Sequence, residues 1–278
     1  MESIGSLWLY VVFFGIVTVM LLVDFLGFKQ KQNQDVSIKQ AAYWSVAWVT
    51  VAMLFGGGLW LYLQQTAGVA LANQKAMEYF AGYLLEKSLA IDNVFVWLMI
   101  FAAFAIPPML QRKILLYGVL GAIVLRTIFI FIGAWFVQEF SWVLYIFGAF
   151  LVYTGFKFLK GQDEDTNIED NALLKWLRKH MRITPQLHDN QFFVRQNGVL
   201  RATPLLLVLI LVEASDVIFA VDSIPAIFAV TSDPFIVLTA NLMAILGLRA
   251  MFFLLAGAAT KLHYLPYGLG IILLFIGA

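Results

Sequence analysis

Long apolar runs, separated by short polar segments, make up most of this chain. A run of about 20 apolar residues is long enough to cross a lipid bilayer as an α-helix. The runs predict eight spanning helices, numbered one to eight in chain order, and the sequence ends inside the last of them. Their expected limits are residues 7–28, 41–64, 79–105, 114–137, 141–160, 203–230, 235–259 and 265–278.

The pattern predicts an all-α fold, a polytopic transmembrane helix bundle that forms a single domain over residues 1–278. Composition agrees, because 62% of the residues are hydrophobic and 13% are charged, whereas soluble domains are about half apolar and one quarter charged. The net charge of +1 gives no reason to expect a nucleic-acid partner, and the lack of cysteine excludes thiolate ligands. Because the sequence stops inside the apolar run LGIILLFIGA, we expect the full protein to continue beyond it.

Basic residues are concentrated in the odd-numbered connections between the predicted helices. Arg112 and Lys113 follow helix three, and many more lie between helices five and six. Lys75 is the one basic residue in the even-numbered connections. By the positive-inside rule, the odd-numbered connections face the cytoplasm and the N-terminus faces the opposite side of the membrane.

The connection at residues 161–202 is the one sizeable polar segment. Its part ALLKWLRKHM, residues 172–181, places apolar side chains largely on one helical face, which is typical of a helix lying on a membrane surface. Asn197-Gly198, between two short apolar runs, indicates a β-hairpin. We expect this cytoplasmic loop to offer a docking surface for protein partners, and a solvated linker is the alternative interpretation.

Helices three to five resemble helices six to eight, which predicts an internal repeat. EKSLAIDN at 86–93 matches DVIFAVDS at 216–223, and the Leu-Arg pair ending at Arg126 matches the one ending at Arg249. The glycines of YIFGAFLVYTG and YGLGIILLFIG also align. Because the two units are three helices apart, they enter the membrane from opposite sides. Such inverted-topology repeats are typical of transporters with a substrate site at the repeat interface.

Five carboxylates lie within predicted helices three and six, where an ionised Asp costs about 3 kcal/mol on insertion scales. They are Glu86, Asp92, Glu213, Asp216 and Asp222. Fewer basic residues lie inside the predicted helices, so some acids stay unpaired even if every base has a partner. These bases are Lys87, Arg126 and Arg249. The excess of acids is either neutralised by protonation or met by a divalent cation.

The side chains around these acids offer only oxygen atoms as metal ligands, since neither His nor Cys lies in these segments. Such a site suits Mg²⁺, Ca²⁺ or Mn²⁺. Besides the five acids, the candidate metal ligands are Asn93, Ser223 and Asn241. Asp92 and Asp222, each followed by a small polar residue, are the first-choice ligands. Glu213 has no counterpart in the other repeat, so we assign it a separate role, such as a second ion site or a proton relay.

The acids of each repeat stand six residues apart and point in different directions on a straight helix. Either helices three and six are broken near the acids, or the acids face two different polar environments. Pro225 favours a break in helix six, because it cannot donate to the carbonyl of Val221 and its ring crowds that turn. Unwound carbonyls would then add ligands for a cation.

The three intramembrane bases are expected to act as structural charge partners. Arg126 and Arg249 are predicted to pair with the repeat-related acids and so to hold the two halves in register. Lys87 is expected to extend outward toward the membrane surface. Asp24 is interpreted as an interfacial charge at the inner end of helix one.

The segments EKSLAIDNVFVW, LVEASDVIFAVDSIPAIFAVTSDPFIVL and NLMAILGLRAMFFLLAG resemble the TerC family of bacterial membrane proteins, most closely its Alx branch. The resemblance covers nearly the whole chain and implies a longer inner-membrane protein. It also implies manganese handling, since the family is associated with Mn²⁺ efflux and with supplying metal to exported proteins. The family's intramembrane acids map onto the five carboxylates. One departure is Ala240, where many relatives carry Ser.

Together these observations predict a divalent metal ion transporter in the bacterial inner membrane, with a periplasmic N-terminus. The expected activity is Mn²⁺ efflux by alternating access, with Mn²⁺ as the transported substrate and proton coupling left open. The alternative is a non-transporting membrane subunit that delivers metal to exported metalloproteins or scaffolds them. We expect no enzyme and no organic cofactor, because no nucleophile or acid–base constellation is evident beyond the acids themselves.

Overall fold

The computed structural model describes residues 3–27, 37–140, 142–159, 172–188, 190–196, 198–256 and 274. Within these ranges the chain forms nine α-helices and one two-stranded hairpin, so the prediction of a mainly helical protein is confirmed. The elements are α1 (Leu7–Gly27), α2 (Ile38–Thr66), α3 (Val69–Ala103), α4 (Pro108–Glu139), α5 (Val143–Leu159), α6 (Ala172–His180), β1 (Phe193–Gln196), β2 (Val199–Ala202), α7 (Pro204–Val230), α8 (Pro234–Leu246) and α9 (Leu248–Ala256).

Several of these helices are long and apolar enough to cross a membrane. Among the described residues α1, α2, α4 and α7 qualify singly, and α8 with α9 makes a fifth candidate span. α3 is longer, at 35 residues, but its charged side chains lower its mean hydropathy. The chain is therefore a polytopic helical membrane protein. The predicted eighth helix, 265–278, lies outside the described residues except at position 274.

α3 and α7 cross at the centre of the bundle and run antiparallel. Gly82 of α3 faces Ile227 near the end of α7, whereas Trp97, further along α3, donates to Ser215 near the middle of α7. Residue numbers along the contact therefore rise on one helix as they fall on the other. The polar segment of α3 is thus placed directly beside the polar segment of α7.

α4 runs parallel to α7, and α8 runs parallel to α3. These four helices pack on one another, and every residue of α8 is buried, so this short helix has no face toward lipid. The facing positions are Gly118 with Val212 and Gly133 with Phe228 for α4 and α7, and Gly82 with Ala240 and Lys87 with Ala244 for α3 and α8.

The predicted break in helix six is wrong. α7 continues without interruption from Pro204 to Val230 and contains Pro225 as a buried residue. Proline within a membrane helix is tolerated where neighbouring helices and local adjustments satisfy the freed carbonyl groups. The break lies instead in predicted helix seven, where α8 ends at Leu246 and α9 begins at Leu248 with a bend of 40° at Gly247. The acids of α3 and α7 consequently lie on unbroken helices.

The connection between α5 and α7 contains both of the elements that its sequence predicts. α6 buries Leu174 and Leu177 and exposes its basic residues. β1 and β2 pair antiparallel, and the turn between them places Gly198 at a φ of +78°, a region that glycine adopts without strain. The hairpin is anchored to the segment after α6, because Thr184 N–H donates to the Ala202 carbonyl. Asn197 lies outside the described residues.

Candidate functional site

Arg126 of α4 is the cation at the centre of the buried polar region. Its guanidinium donates through Nε and Nη2 to the two carboxylate oxygens of Asp216 on α7, at 3.1 and 2.8 Å. Its Nη1 donates to Glu86 on α3. All three side chains are almost completely buried. Such a bidentate, charge-assisted pairing is strong, so one arginine links three helices while leaving one excess negative charge.

The small polar residues that directly follow Asp92 and Asp222 extend this network. Asn93 Nδ2 donates to Asp216 at 3.3 Å, and Arg126 Nη1 lies 3.4 Å from the Ser223 hydroxyl. The antiparallel crossing brings Asn93 of α3 to Asp216 of α7 and Ser223 of α7 to the side of Glu86. The two candidate ligands therefore contact the network from its opposite ends.

Asp92 and Asp222 line one small cavity beside the arginine network. Its volume is about 10 Å³, and Glu86 also lines it. A space of this size accepts about one water-sized occupant. Within the described part of the chain, Asp92 makes no hydrogen bond or ion pair, whereas Asp222 accepts a hydrogen bond from Thr154 of α5 and lies near Lys157. The two first-choice ligands thus share one enclosed space.

Glu213 occupies a different environment from the other four acids. Its carboxylate packs against Gly121 of α4, where a Cβ atom would overlap it. Its Oε2 is buried and has no hydrogen-bond partner among the described residues. A larger residue at position 121 would displace the carboxylate from this place.

Lys87 does not extend toward the membrane surface, so that expectation is wrong. Its ammonium group donates to the backbone carbonyl of Ala244 at 3.1 Å, in the last turn of α8. Gly247 leaves room for it, since a Cβ atom there would stand 2.8 Å from Nζ. A cation at this end of a helix is favourable, because the final carbonyl groups lack partners within the helix and carry partial negative charge.

Arg249 and Asp24 form a second buried ion pair, which the sequence did not indicate. Arg249 Nη2 lies 2.8 Å from the Asp24 carboxylate, and both side chains are nearly inaccessible. The predicted pairing with repeat-related acids therefore holds for Arg126 and fails for Arg249. The bend at Gly247 lies just before Arg249, and the arginine is paired with α1 instead of α3 or α7. Asp24 is thus a buried ion-pair partner near the end of α1.

The five acids fall into three groups when their contacts are compared. Arg126 binds Glu86 and Asp216, Asp92 and Asp222 line the small cavity without forming an ion pair with Arg126, and Glu213 lies apart from both pairs. Among the described residues, no three His, Cys, Asp or Glu side chains are close enough together to form a metal-binding group. Asn241 does not line the cavity, but its amide is fully buried and has no partner among those residues. Sequence reasoning missed Thr154, since a threonine in an apolar helix usually bonds its own backbone.

The fold and its buried charges define a polytopic integral membrane protein with a polar centre. Residues 71–278 match the family described as "Integral membrane protein TerC family", and the chain belongs to this family. It is 60% identical over 277 residues to a protein of Photorhabdus laumondii and 57% identical over 277 residues to one of Escherichia coli K12. Each alignment covers 100% of this chain and 87% and 86% of the relative, respectively.

Both of these relatives carry the name Alx, and that name proposes a membrane-bound redox modulator. An uncharacterised membrane protein of Myxococcus xanthus is 45% identical over 275 residues, which cover 99% of this chain and 83% of the relative. No solved structure matches the chain significantly. The resemblance to the TerC family and its Alx branch, first suggested by the acidic motifs, is thus confirmed.

Proposed function

We propose that the protein is a divalent metal ion transporter and that it exports Mn²⁺ across the bacterial inner membrane by alternating access. The observation that carries the proposal is the cavity shared by Asp92 and Asp222. Two carboxylates facing one enclosed space repel each other when both are ionised. A divalent cation between them would remove that repulsion and offset both charges.

The positions of the basic residues support this charge argument. Arg126 is already bound by Glu86 and Asp216, Arg249 is paired with Asp24, and Lys87 contacts a helix end. Arg126 also lines the cavity, together with its partner Glu86, but none of the three bases forms an ion pair with Asp92 or Asp222. Lys157 lies near Asp222, but its side chain is exposed. The described intramembrane bases therefore leave Asp92 and Asp222 available to a mobile cation.

The choice of Mn²⁺ rests on the chemistry of the ligands and on the association of the family with manganese. Carboxylate, amide and hydroxyl oxygens around the cavity suit Mn²⁺, Mg²⁺ and Ca²⁺ about equally. The association of the TerC family with manganese favours Mn²⁺ among them. The redox role that the Alx name proposes is compatible with metal transport. Because this sequence contains no cysteine, we infer that any such influence would act through the exported metal and not through thiols of this chain.

Alternating access is proposed from the packing of the four central helices. α3 crosses α7 antiparallel, while α4 lies parallel to α7 and α8 lies parallel to α3. Two three-helix units related by an axis in the membrane plane would pack in this way. The last helix of the second unit falls outside the described residues, so the proposed inverted repeat rests on α3, α4, α7 and α8.

Substitutions at the cavity test this proposal. We expect Asp92→Asn and Asp222→Asn each to lower Mn²⁺ efflux by about tenfold or more, because ligand charge strongly tunes the affinity of oxygen sites for cations. Both variants should still insert, since removing a charge lowers the cost of burial in the membrane. Efflux would be measured with Mn²⁺-loaded cells, and protein amount by immunoblotting of membranes.

Glu139→Gln is the matched control, because Glu139 is an exposed acid at the end of α4, away from the cavity. It should leave efflux unchanged. Wild-type efflux from both cavity variants, at equal protein amounts, would contradict the proposed site.

The alternative is a subunit that delivers metal to exported metalloproteins without transporting it. The folded segment between α5 and α7, with α6 and the hairpin, favours this alternative because it offers a surface for partners. Purified protein in liposomes separates the two functions. If the purified protein alone moves Mn²⁺ across the liposome membrane, it cannot be a subunit that only delivers metal to partners. If the rate of Mn²⁺ movement depends on an imposed pH gradient, transport is coupled to protons.

A further inference from the structure

A second cavity, of about 870 Å³, shares no lining residue with the acidic cavity and lies where membrane helices end. It is bounded by the end of α3 at residues 103–105, by the start of α7 at Pro204, and by the segment from α6 to β2. Its volume falls within the usual range for sites of small organic ligands. The cavity is therefore large enough for more than a single inorganic ion.

The charged side chains that line this cavity are basic. Among the described residues around it, Arg178, Arg182 and Arg201 carry a charge, none is acidic, and most of the others are apolar. Among the described residues, none of the three guanidinium groups makes a hydrogen bond or an ion pair. The Nε of Arg201 is moreover buried without a partner in that part of the chain. A buried, unsatisfied guanidinium nitrogen is costly, which indicates that an acceptor normally meets it.

The chemistry of arginine indicates what the acceptor is. A guanidinium presents planar donors that match phosphate oxygens in pairs, and arginine clusters are the usual protein sites for phosphate groups. Basic pockets where membrane helices reach the cytoplasmic surface bind anionic lipid head groups. α6, which supplies Arg178, is amphipathic and buries Leu174 and Leu177, as expected of a helix at such a surface.

We propose that this cavity binds a phosphate-bearing anion through Arg178, Arg182 and Arg201. The phosphate belongs either to the head group of an anionic phospholipid or to a soluble compound of the cytoplasm. The proposal is independent of metal transport, because the cavity shares no residue with the acidic site.

Native mass spectrometry of the purified full chain tests this site. Protein in detergent would be mixed with equal amounts of phosphatidylglycerol and phosphatidylcholine that carry the same acyl chains. We expect wild-type protein to retain phosphatidylglycerol preferentially. A triple variant with Arg178→Gln, Arg182→Gln and Arg201→Gln should lose that preference by about tenfold or more, since each basic residue contributes about 1 kcal/mol near an anionic surface.

The matched control is a triple variant with Lys175→Gln, Lys179→Gln and Arg195→Gln. It removes the same charge from the same segment, but none of its residues lines the cavity. It should retain the wild-type preference. Equal retention by both triple variants would overturn the proposal, and so would an equal loss.

The source of the phosphate is decided by competition. Inorganic phosphate would be added at constant ionic strength, with chloride as the reference anion. Retained phosphatidylglycerol supports a lipid head group, whereas displacement by phosphate but not by chloride supports a soluble ligand. If wild-type protein binds neither phosphatidylglycerol nor phosphate in preference to its reference, the arginine cavity is not a phosphate site.

Discussion

At the scale of single residues, Arg126 is the partner of two buried acids in the polar centre of the protein. It binds Glu86 and Asp216, which come from two different helices. A buried ion pair adds little stability compared with apolar packing. Removing one partner, however, strongly destabilises the protein, because it leaves an uncompensated buried charge. Arg126 is therefore indispensable as long as its acids are present.

Arg126→Gln should destabilise the protein by about 3 kcal/mol or more, since it would leave two buried carboxylates without a cation. We expect little monodisperse protein after extraction and a lower unfolding midpoint in detergent. Adding Glu86→Gln and Asp216→Asn should restore much of the loss, because the site would then carry no charge.

Arg195→Gln is the control for this experiment, since Arg195 is an exposed arginine of β1. It should change neither extraction nor the unfolding midpoint. A triple variant as unstable as Arg126→Gln alone would show that shape, and not charge, determines stability at this position.

At the scale of secondary-structure elements, three consecutive glycines in α2 differ in what surrounds them. A Cβ atom at Gly56 would stand 2.6 Å from ring atoms of Tyr79 and Phe80, whereas Cβ atoms at Gly57 and Gly58 would meet nothing within 4 Å. Tyr79 is fully buried, and its hydroxyl donates to the carbonyl of Ala52 at 3.0 Å. Gly56 therefore allows α2 and α3 to approach closely.

Gly56→Ala should destabilise the protein by about 1–3 kcal/mol, the usual cost of overpacking, because rigid rings cannot yield. Gly57→Ala and Gly58→Ala should be neutral or slightly stabilising, since alanine favours a helix over glycine. Thermal unfolding of the three variants in one detergent would measure the difference. Three equal midpoints would contradict the packing of α2 on α3.

The same scale shows where element boundaries could be predicted. The apolar runs located the long described helices, because burial in lipid requires a helix of a certain length. They missed the first ten residues of α3, which begins at Val69 and not at 79, because that part contains the charged residues Lys75 and Glu78. The break was predicted in the wrong helix. Pro225 removes one backbone N–H donor from α7, and neighbouring groups can compensate for that loss. The bend lies instead at Gly247, beside Lys87. Contact between Lys87 and Ala244 joins residues 157 positions apart, so no local pattern contains it.

At the scale of the whole molecule, the orientation in the membrane can be tested directly because the sequence has no cysteine. Gln65 at the end of α2 and Arg195 in the hairpin are both exposed. In spheroplasts, a membrane-impermeant maleimide should label Gln65→Cys, and it should label Arg195→Cys only after permeabilisation. The reverse pattern would contradict the orientation inferred from the basic residues.

The site could be predicted only in part from the sequence. The repeat motif identified Asp92 and Asp222 as related positions, and the antiparallel crossing of α3 and α7 places both at one cavity. The partner of Arg249 could not be predicted, because Asp24 lies 225 residues away on a helix outside the repeat. The matching motifs compare only the two segments that contain them, so they carry no information on contacts with another helix such as α1.

The shared arginine also has a mechanical consequence. Pulling α3, α4 or α7 away from the others would break charge-assisted bonds at a place where no water replaces them, so these helices should move as one rigid block. α5 meets α7 near the acids through Thr154, which donates to Asp222, and through Lys157, which lies close to the same carboxylate. A transport cycle would therefore either keep α3, α4 and α7 together and move other helices around them, or break the bonds between Arg126 and Asp216 when the two proposed units separate.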